Sequence, residues 1–138
     1  MFETSIRVRS TQVDQFGHLN NAAFLEIFEW ARWEWAEVGG SAFHDMMHEQ
    51  GVGPVIVRAD VRFEREVRFH ERLRILTWLV ECDTRRGVIL QHMIRQDGGR
   101  AAEARFTFLT IDMARRKMVP MPEVIQAMVE PGPASPGR

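Results

Sequence analysis

The residues best suited to chemistry lie close together near the start of the chain. Asp14-Gln15-Phe16-Gly17-His18-Leu19-Asn20-Asn21 supplies a carboxylate, a glycine, an imidazole and two carboxamides. The segment runs directly into Ala22-Ala23-Phe24-Leu25-Glu26-Ile27-Phe28-Glu29, the start of the strongest helical pattern in the sequence. The first N–H groups of a helix have no intrahelical acceptor, and the helix dipole adds partial positive charge there. Negative charge that develops during a reaction is stabilised at such a place. A carboxylate facing it suits acyl transfer: Asp14 attacks or activates water, and the helix terminus holds the oxyanion. Taken alone, Asp14 reads better as a loop carboxylate that favours the helix dipole. Gly17, His18, Asn20 and Asn21 beside it shift the weight toward chemistry.

The elements that must hold this loop follow from periodicity. Residues 5–13 alternate as a first strand, with Ile6 and Val8 opposed to Arg7 and Arg9. Residues 22–38 are predicted helical, with Phe24, Phe28, Ala31, Trp35 and Val38 in one stripe. Leu25, Ile27, Trp30 and Trp33 widen that stripe beyond one face. Gly39-Gly40 ends the helix, and Ser41 caps a second, short helix that Gly51 closes. From Val55 the period changes to two, giving a long strand with one buried face that carries on through Val67 and Phe69. His70-Glu71 marks a turn. Leu73–Glu81, Val88–Gln96 and Ala101–Asp112 are further strands, joined at Asp83–Gly87 and at Asp97-Gly98-Gly99. Leu73–Glu81 is apolar on both faces, so both are covered. Pro122–Glu130 is a short amphipathic helix.

One helix followed by a run of sequential strands predicts an α+β domain over residues 1–130, an antiparallel meander wrapped on a long central helix. Residues 131–138 are a Pro/Gly-rich tail expected to be disordered. The helix is apolar on too many sides for one sheet to cover, and Trp78 on the outer side also wants a cover. A homodimer is the economical answer.

Composition excludes several classes. A formal net charge of −1 supplies no basic field for nucleic acid. Lys117 is the only lysine, so arginine carries the positive charge, which most simply reflects genome composition. The single cysteine, Cys82, forms no intrachain disulfide and fits a reducing cytoplasm. No secretory signal or membrane span is visible. The absence of tyrosine excludes a catalytic phenol. His44 and His48 have the i, i+4 spacing of zinc-binding pairs, but no third ligand is evident in the sequence. No metal is assigned.

Asp14-x-x-Gly17-His18-x-Asn20-Asn21, with Phe24-Leu25 and Phe28-Glu29-x-x-Arg32 behind it, resembles the hotdog-fold acyl-CoA thioesterases. The branch it is most similar to is the 4-hydroxybenzoyl-CoA thioesterase-like family. Order of elements matches over roughly residues 3–115. The resemblance implies a hotdog fold, a helix wrapped by a curved antiparallel sheet. It also implies active sites at a subunit interface in dimers or dimers of dimers, and no cofactor beyond the coenzyme A of the substrate. Asp14 matches the catalytic aspartate, as nucleophile or general base. The backbone N–H at Asn21 matches the group that polarises the thioester carbonyl. His18 and Asn20 would shape the loop and touch substrate, Gly17 would let the backbone approach closely, and Phe24 takes the place of a tyrosine.

Coenzyme A carries phosphates, so Arg85 and Arg86, with Arg58 and Arg62 behind them, are candidate phosphate contacts. Trp30, Trp33, Met46, Met47 and Phe43 would line the acyl pocket, whose bulk favours aromatic or medium-to-long acyl groups. Glu29 is a candidate second carboxylate, with a salt bridge to Arg32 or Arg62 as the simpler role. Arg65-Glu66 and His70-Glu71 depart from the family pattern and touch the pocket's local bulge. Two other readings of the fold are a non-catalytic acyl-CoA or acyl-carrier binder and an acyl-thioester hydratase or dehydratase. The intact Asp14 argues against the first, and the missing longer motif against the second.

Overall fold

The computed structural model of the chain describes residues 1–38 and 42–134. The element order is β1 (Phe2–Arg7), α1 (Asn21–Val38), α2 (Ala42–His48), β2 (Val52–Phe63), β3 (Arg72–Cys82), β4 (Gly87–Ile94), β5 (Arg100–Asp112), β6 (Lys117–Val119) and α3 (Glu123–Gln126). The strands form one antiparallel sheet in the order β1-β3-β4-β5-β2, with β6 continuing beside β5. Sequential antiparallel strands joined by tight turns produce this meander directly. At the β3–β4 turn, Asp83 Oδ1 accepts the N–H groups of Arg85 and Arg86 at 2.8 and 2.9 Å.

α1 lies on the inner face of the sheet. Phe24, Phe28, Ala31 and Trp35 are buried, as their spacing predicts. Phe28 meets Phe106 of β5 edge-on at 6.0 Å, and Phe24 meets Phe63 of β2 at 5.1 Å. At the far end of α1, Trp35 packs on Phe43 of α2, which packs in turn on Phe108. Phe106 and Phe108 therefore share the inward parity of β5. The predicted stop at Gly39-Gly40 and the predicted cap Ser41 lie outside the described residues, and so does the tail from 135 onward.

Four expectations are corrected. β1 ends at Arg7, because Ser10–Gln12 winds into a 3₁₀ turn. β2 ends at Phe63, because the backbone of 67–69 pairs with the Asp14 loop instead of extending the strand. Nor does β2 have a buried face: it is an edge strand, bulged at Val57, and Val55, Ile56, Val57 and Phe63 are 37–54% exposed. Trp78 needs no second subunit, because the chain itself leaves it only 8% exposed, with His92 edge-on at 5.1 Å. Part of the outer cover comes from the C-terminal segment. The N–H of Glu130 donates to the Leu79 carbonyl, and a Cβ at Gly132 would stand 2.9 and 3.0 Å from Val80 and Leu90 carbons. The described tail residues, 131–134, thus have no regular structure, yet Gly132 packs closely.

Candidate active site

The Asp14 loop is built by its own backbone. The N–H of Asp14 donates to the His18 carbonyl at 2.8 Å, that of Gly17 to the Asp14 carbonyl at 3.0 Å, and that of Asn20 to the Gln12 carbonyl at 2.9 Å. Gly17 has φ +75°, which glycine adopts without the steric cost that a Cβ would bring. The loop is then stitched to the segment before β3. The N–H of Leu19 donates to Val67 at 2.7 Å, and His18 bridges Arg68.

Asp14 is exposed, and its two oxygens differ in use. Oδ1 accepts the N–H groups of Phe16 and His18 at 2.8 and 3.3 Å. Oδ2 has no partner among the described residues. One oxygen anchors the turn while the other takes no part in it.

Asn20 is the N-cap of α1: its Oδ1 accepts the N–H of Ala23 at 2.8 Å. The N–H groups of Asn21 and Ala22 come next and have no acceptor among the described residues. These are the donors that a helix start offers to an anion.

The remaining sequence-predicted residues separate. His18 Nε2 lies 3.1 Å from Glu66 Oε2, so its ring braces the loop. Phe24 is buried behind the loop. Arg58 and Arg86 line one shallow groove with Arg105 on the outer sheet side, and Arg62 is exposed on β2. Arg85 and Arg86 belong to the other end of the sheet. Gly87 pairs with Phe108, whereas Phe63, near the start of α1, pairs with Ala102. Six residues of strand separate those levels, about 20 Å. Within one protomer, Arg85 and Arg86 do not rim the Asp14 loop.

An apolar pocket of about 230 Å³ opens beside the second half of α1, lined by Glu29, Trp33, Trp35, Phe43, Ile56 and Ile89 among others. Trp33 and Phe43 are where bulk was expected. Met46 and Met47 are buried in the core, and Trp30 faces a different groove beside β1. Glu29 makes no ion pair with Arg32 or Arg62 among the described residues. Instead Arg32 donates to Gln91 Oε1 at 3.1 Å and stacks over Phe106 at 3.9 Å. Burial pulls its pKa down to about 10, against the opposing pull of Glu29. Gln91 Nε2 donates onward to the Phe28 carbonyl and to Thr77 Oγ1, both at 3.1 Å.

Sequence reasoning missed Gln12, Glu66 and Gln91. Gln12 is 6% exposed and its Oε1 accepts the N–H of Arg9, so it anchors the approach to the loop. Gln12 acts locally, three residues from Arg9, whereas Glu66 and Gln91 act across the fold; the only sequence sign among them is Gln91, a polar residue within the apolar run of β4.

This geometry has known counterparts. The thioesterase-like superfamily matches residues 8–129. The long-chain acyl-CoA thioesterase FadM of Escherichia coli (strain K12) is 27% identical over 129 residues, covering 93% of this chain and 96% of that protein. The crystal structure of YbaW, a probable thioesterase from Escherichia coli, superposes with a TM-score of 0.83 at 27% identity, over 94% of this chain and 100% of that one. SAV2348 of Staphylococcus aureus, solved in complex with CoA, has the same fold at 15% identity, with a TM-score of 0.84 over 98% of this chain and 89% of that one. The chain belongs to the thioesterase-like superfamily, as a hotdog-fold thioester hydrolase.

Proposed function

We propose that this chain hydrolyses the thioester of aromatic or medium- to long-chain acyl-CoA, releasing free acid and CoA, with Asp14 as nucleophile or general base. The observation that carries the reading is the division of labour at Asp14. Oδ1 is held by two loop N–H groups, and Oδ2 is left for the reaction, ahead of a capped helix whose first N–H groups have no acceptor among the described residues. A thioester is an activated acyl donor, so a carboxylate, or the water it deprotonates, suffices to attack it. The oxyanion takes the N–H of Asn21, and losing such a donor costs about 10²–10³ in turnover. His18, braced by Glu66, and Asn20, as the cap, position this machinery.

The acyl preference rests on the apolar pocket. Glu29 stands eight residues along α1 from Asn21, about 12 Å of helix axis. An acyl group that reaches from the carbonyl to Trp33 and Phe43 must be extended, either as a chain or as a ring carried on a spacer. The similarity to a long-chain acyl-CoA thioesterase points the same way.

The active form is a homodimer or a dimer of dimers. β2 is an edge strand with no partner on its outer side among the described residues, and Trp33 of α1, 46% exposed, lies beside its Ile56. Such edges invite strand pairing. Antiparallel pairing of two β2 strands sets the Val52 end of one copy against the Phe63 end of the other. Arg58, Arg85 and Arg86 of one copy then approach the loop of its mate, where CoA phosphates would lie. Coenzyme A enters as part of the substrate, and no further cofactor is needed. Among the described residues, no helix is long and apolar enough to cross a membrane.

The test is thiol release across acyl-CoAs of graded chain length and aromatic acyl-CoAs. Asp14→Asn is expected to lower kcat by about 10²-fold or more with an unchanged fold. Full activity in that variant, or no hydrolysis of any acyl-CoA by the parent, rejects the mechanism.

A further inference from the structure

Away from the Asp14 loop, the last described turn of α1 meets α2 through three potential metal ligands. His48 Nε2 lies 3.2 and 3.1 Å from the two carboxylate oxygens of Glu37. His44 Nε2 lies 3.9 Å from Glu37 Oε2. One ligand atom from each of the three residues falls within 4.8 Å of the others. The two rings are 4.4 Å apart, because i and i+4 share a helix face. Glu37 is the third ligand that the sequence left unidentified, and it comes from a different helix.

A fourth residue orders the arrangement. His44 Nδ1 is 3.4 Å from Asp45 Oδ1. A ring with its proton on Nδ1, shared with that carboxylate, turns its Nε2 lone pair toward Glu37. A lone pair facing a carboxylate oxygen is unfavourable unless a proton or a cation stands between them. Carboxylate–imidazole pairs of this kind orient histidine ligands in zinc sites.

We propose that Glu37, His44 and His48 bind a divalent transition-metal cation of the zinc class, through one carboxylate oxygen and two Nε2 atoms. Two imidazoles favour zinc, cobalt or nickel over magnesium or calcium, which prefer all-oxygen shells. The spacing is close to what such a cation needs. Bonds of about 2.0–2.1 Å in a tetrahedral site put ligand atoms about 3.3 Å apart. The Glu37–His48 pair is already at that distance, and His44 must close by less than about 1 Å on Glu37. All three side chains are 41–56% exposed, so they have the freedom to close, and solvent can fill the fourth position. The cation would clip α2 to the end of α1. α2 carries Phe43, a wall of the apolar pocket, so the clip would stiffen that wall. The inference does not rest on the thioesterase reading.

The full chain, stripped with a chelator and exchanged into chelator-free buffer, is titrated with Co²⁺ and then with Zn²⁺. The expected result is uptake of one Co²⁺ per chain with visible absorption bands, displacement by Zn²⁺, and a rise in melting temperature of about 5–10 °C at a hundredfold excess over Kd. Glu37→Gln and the double variant His44→Gln/His48→Gln should each weaken uptake more than tenfold. Asp45→Asn should weaken it about tenfold through His44. His70→Gln and Cys82→Ser should leave uptake unchanged, and circular dichroism checks the fold of every variant. No saturable uptake below about 1 mM, or uptake that survives the double variant, overturns the proposal. Thiol release is not read, so the outcome stands whether or not the chain hydrolyses acyl-CoA.

Discussion

Replacing Asn20 separates a cap from a substrate contact. Asn20→Ala keeps the backbone bonds of that residue, in which its N–H donates to Gln12 and its carbonyl accepts from Ala23 and Phe24. It removes only the 2.8 Å bond from the Ala23 N–H to Oδ1. Loss of an asparagine N-cap to alanine costs about 1 kcal/mol. Unfolding entropy of about 2.1 cal/mol/K per residue gives about 0.3 kcal/mol/K for a chain of this length, so the melting temperature should fall about 3–4 °C. The cap also holds the first turn, where the Asn21 N–H must meet the oxyanion. Turnover should therefore drop about tenfold while KM changes little, the mark of an interaction made in the transition state.

Two rescues sharpen the test. Serine caps nearly as well as asparagine, so Asn20→Ser should recover both stability and kcat. Aspartate caps equally well but adds negative charge beside the developing oxyanion. Asn20→Asp should thus recover the melting temperature and keep kcat depressed. Calorimetry and thiol-release kinetics on the same preparations read both quantities. An unchanged melting temperature in Asn20→Ala together with a raised KM would make Asn20 a substrate contact. Full turnover in Asn20→Asp would mean that the oxyanion forms elsewhere.

Three further outcomes are expected. Gly87→Ala would set a Cβ 2.3 and 2.4 Å from ring carbons of buried Phe108, an overpacking that costs about 1–3 kcal/mol and lowers the melting temperature; Phe108→Leu in the same chain should restore part of the loss, and an unshifted melting temperature would refute the clash. His92 is 7% exposed, and burial, then the Arg100 charge, hold its pKa below the usual histidine value, with Glu103 opposing them. The unfolded chain then binds the proton more readily, so stability is complete above about pH 6.5 and falls as pH drops toward the depressed native pKa; His92→Gln should flatten the fall in melting temperature below about pH 6.5, and a variant with the parent's slope would assign the acid limb to other groups. Val57→Arg sets a charge on the exposed bulge of β2 and should shift the sedimentation mass toward one chain, whereas an unchanged mass would rule out β2 pairing.

How legible the molecule was depended on the range of each interaction. α1 declared itself because Phe24, Phe28, Ala31 and Trp35 recur with the helical period, and all four are buried. The meander was legible from two-residue alternation and from Asp/Gly turns, which are local. The ends of β1 and β2 were not. Val67 and Phe69 continue the strand parity, but the backbone there binds the Asp14 loop, Val67 to Leu19 and Phe69 to Gly17, while Val8 still bonds to Glu71 in the β1–β3 register and the turn from Ser10 then ends β1. At the site, Asp14 and the start of α1 were legible because they are adjacent in sequence. Asn20 was assigned to shaping the loop and touching substrate, and the device by which it shapes the loop, its Oδ1 capping α1, shows only in the structure. The arginines were grouped by type, and strand register then set Arg85 and Arg86 about 20 Å from the loop level. β6 is only three residues long, too short to carry a period.

Arg32 is the most instructive departure. Phe24, Phe28 and Ala36 are buried, and Arg32 falls at the same four-residue step between them. A cation in a buried row demands partners, because an unpaired buried charge costs several kcal/mol. Pairing it with Glu29, three residues away, satisfies a helix surface but not a core. Gln91, a buried polar residue in the middle of an otherwise largely apolar β4, was the matching sign. Together Arg32, Gln91, Thr77 and the Phe28 carbonyl tie α1 to β4 and β3 in one register. Sliding α1 by a turn would take the half-buried guanidinium and the buried carboxamide away from these partners. That register sets Asn21 and the pocket at Trp33 at fixed ends of one rigid rod. The distance between the proposed oxyanion donor and the acyl pocket is therefore set by the fold, and no loop movement is needed to establish it.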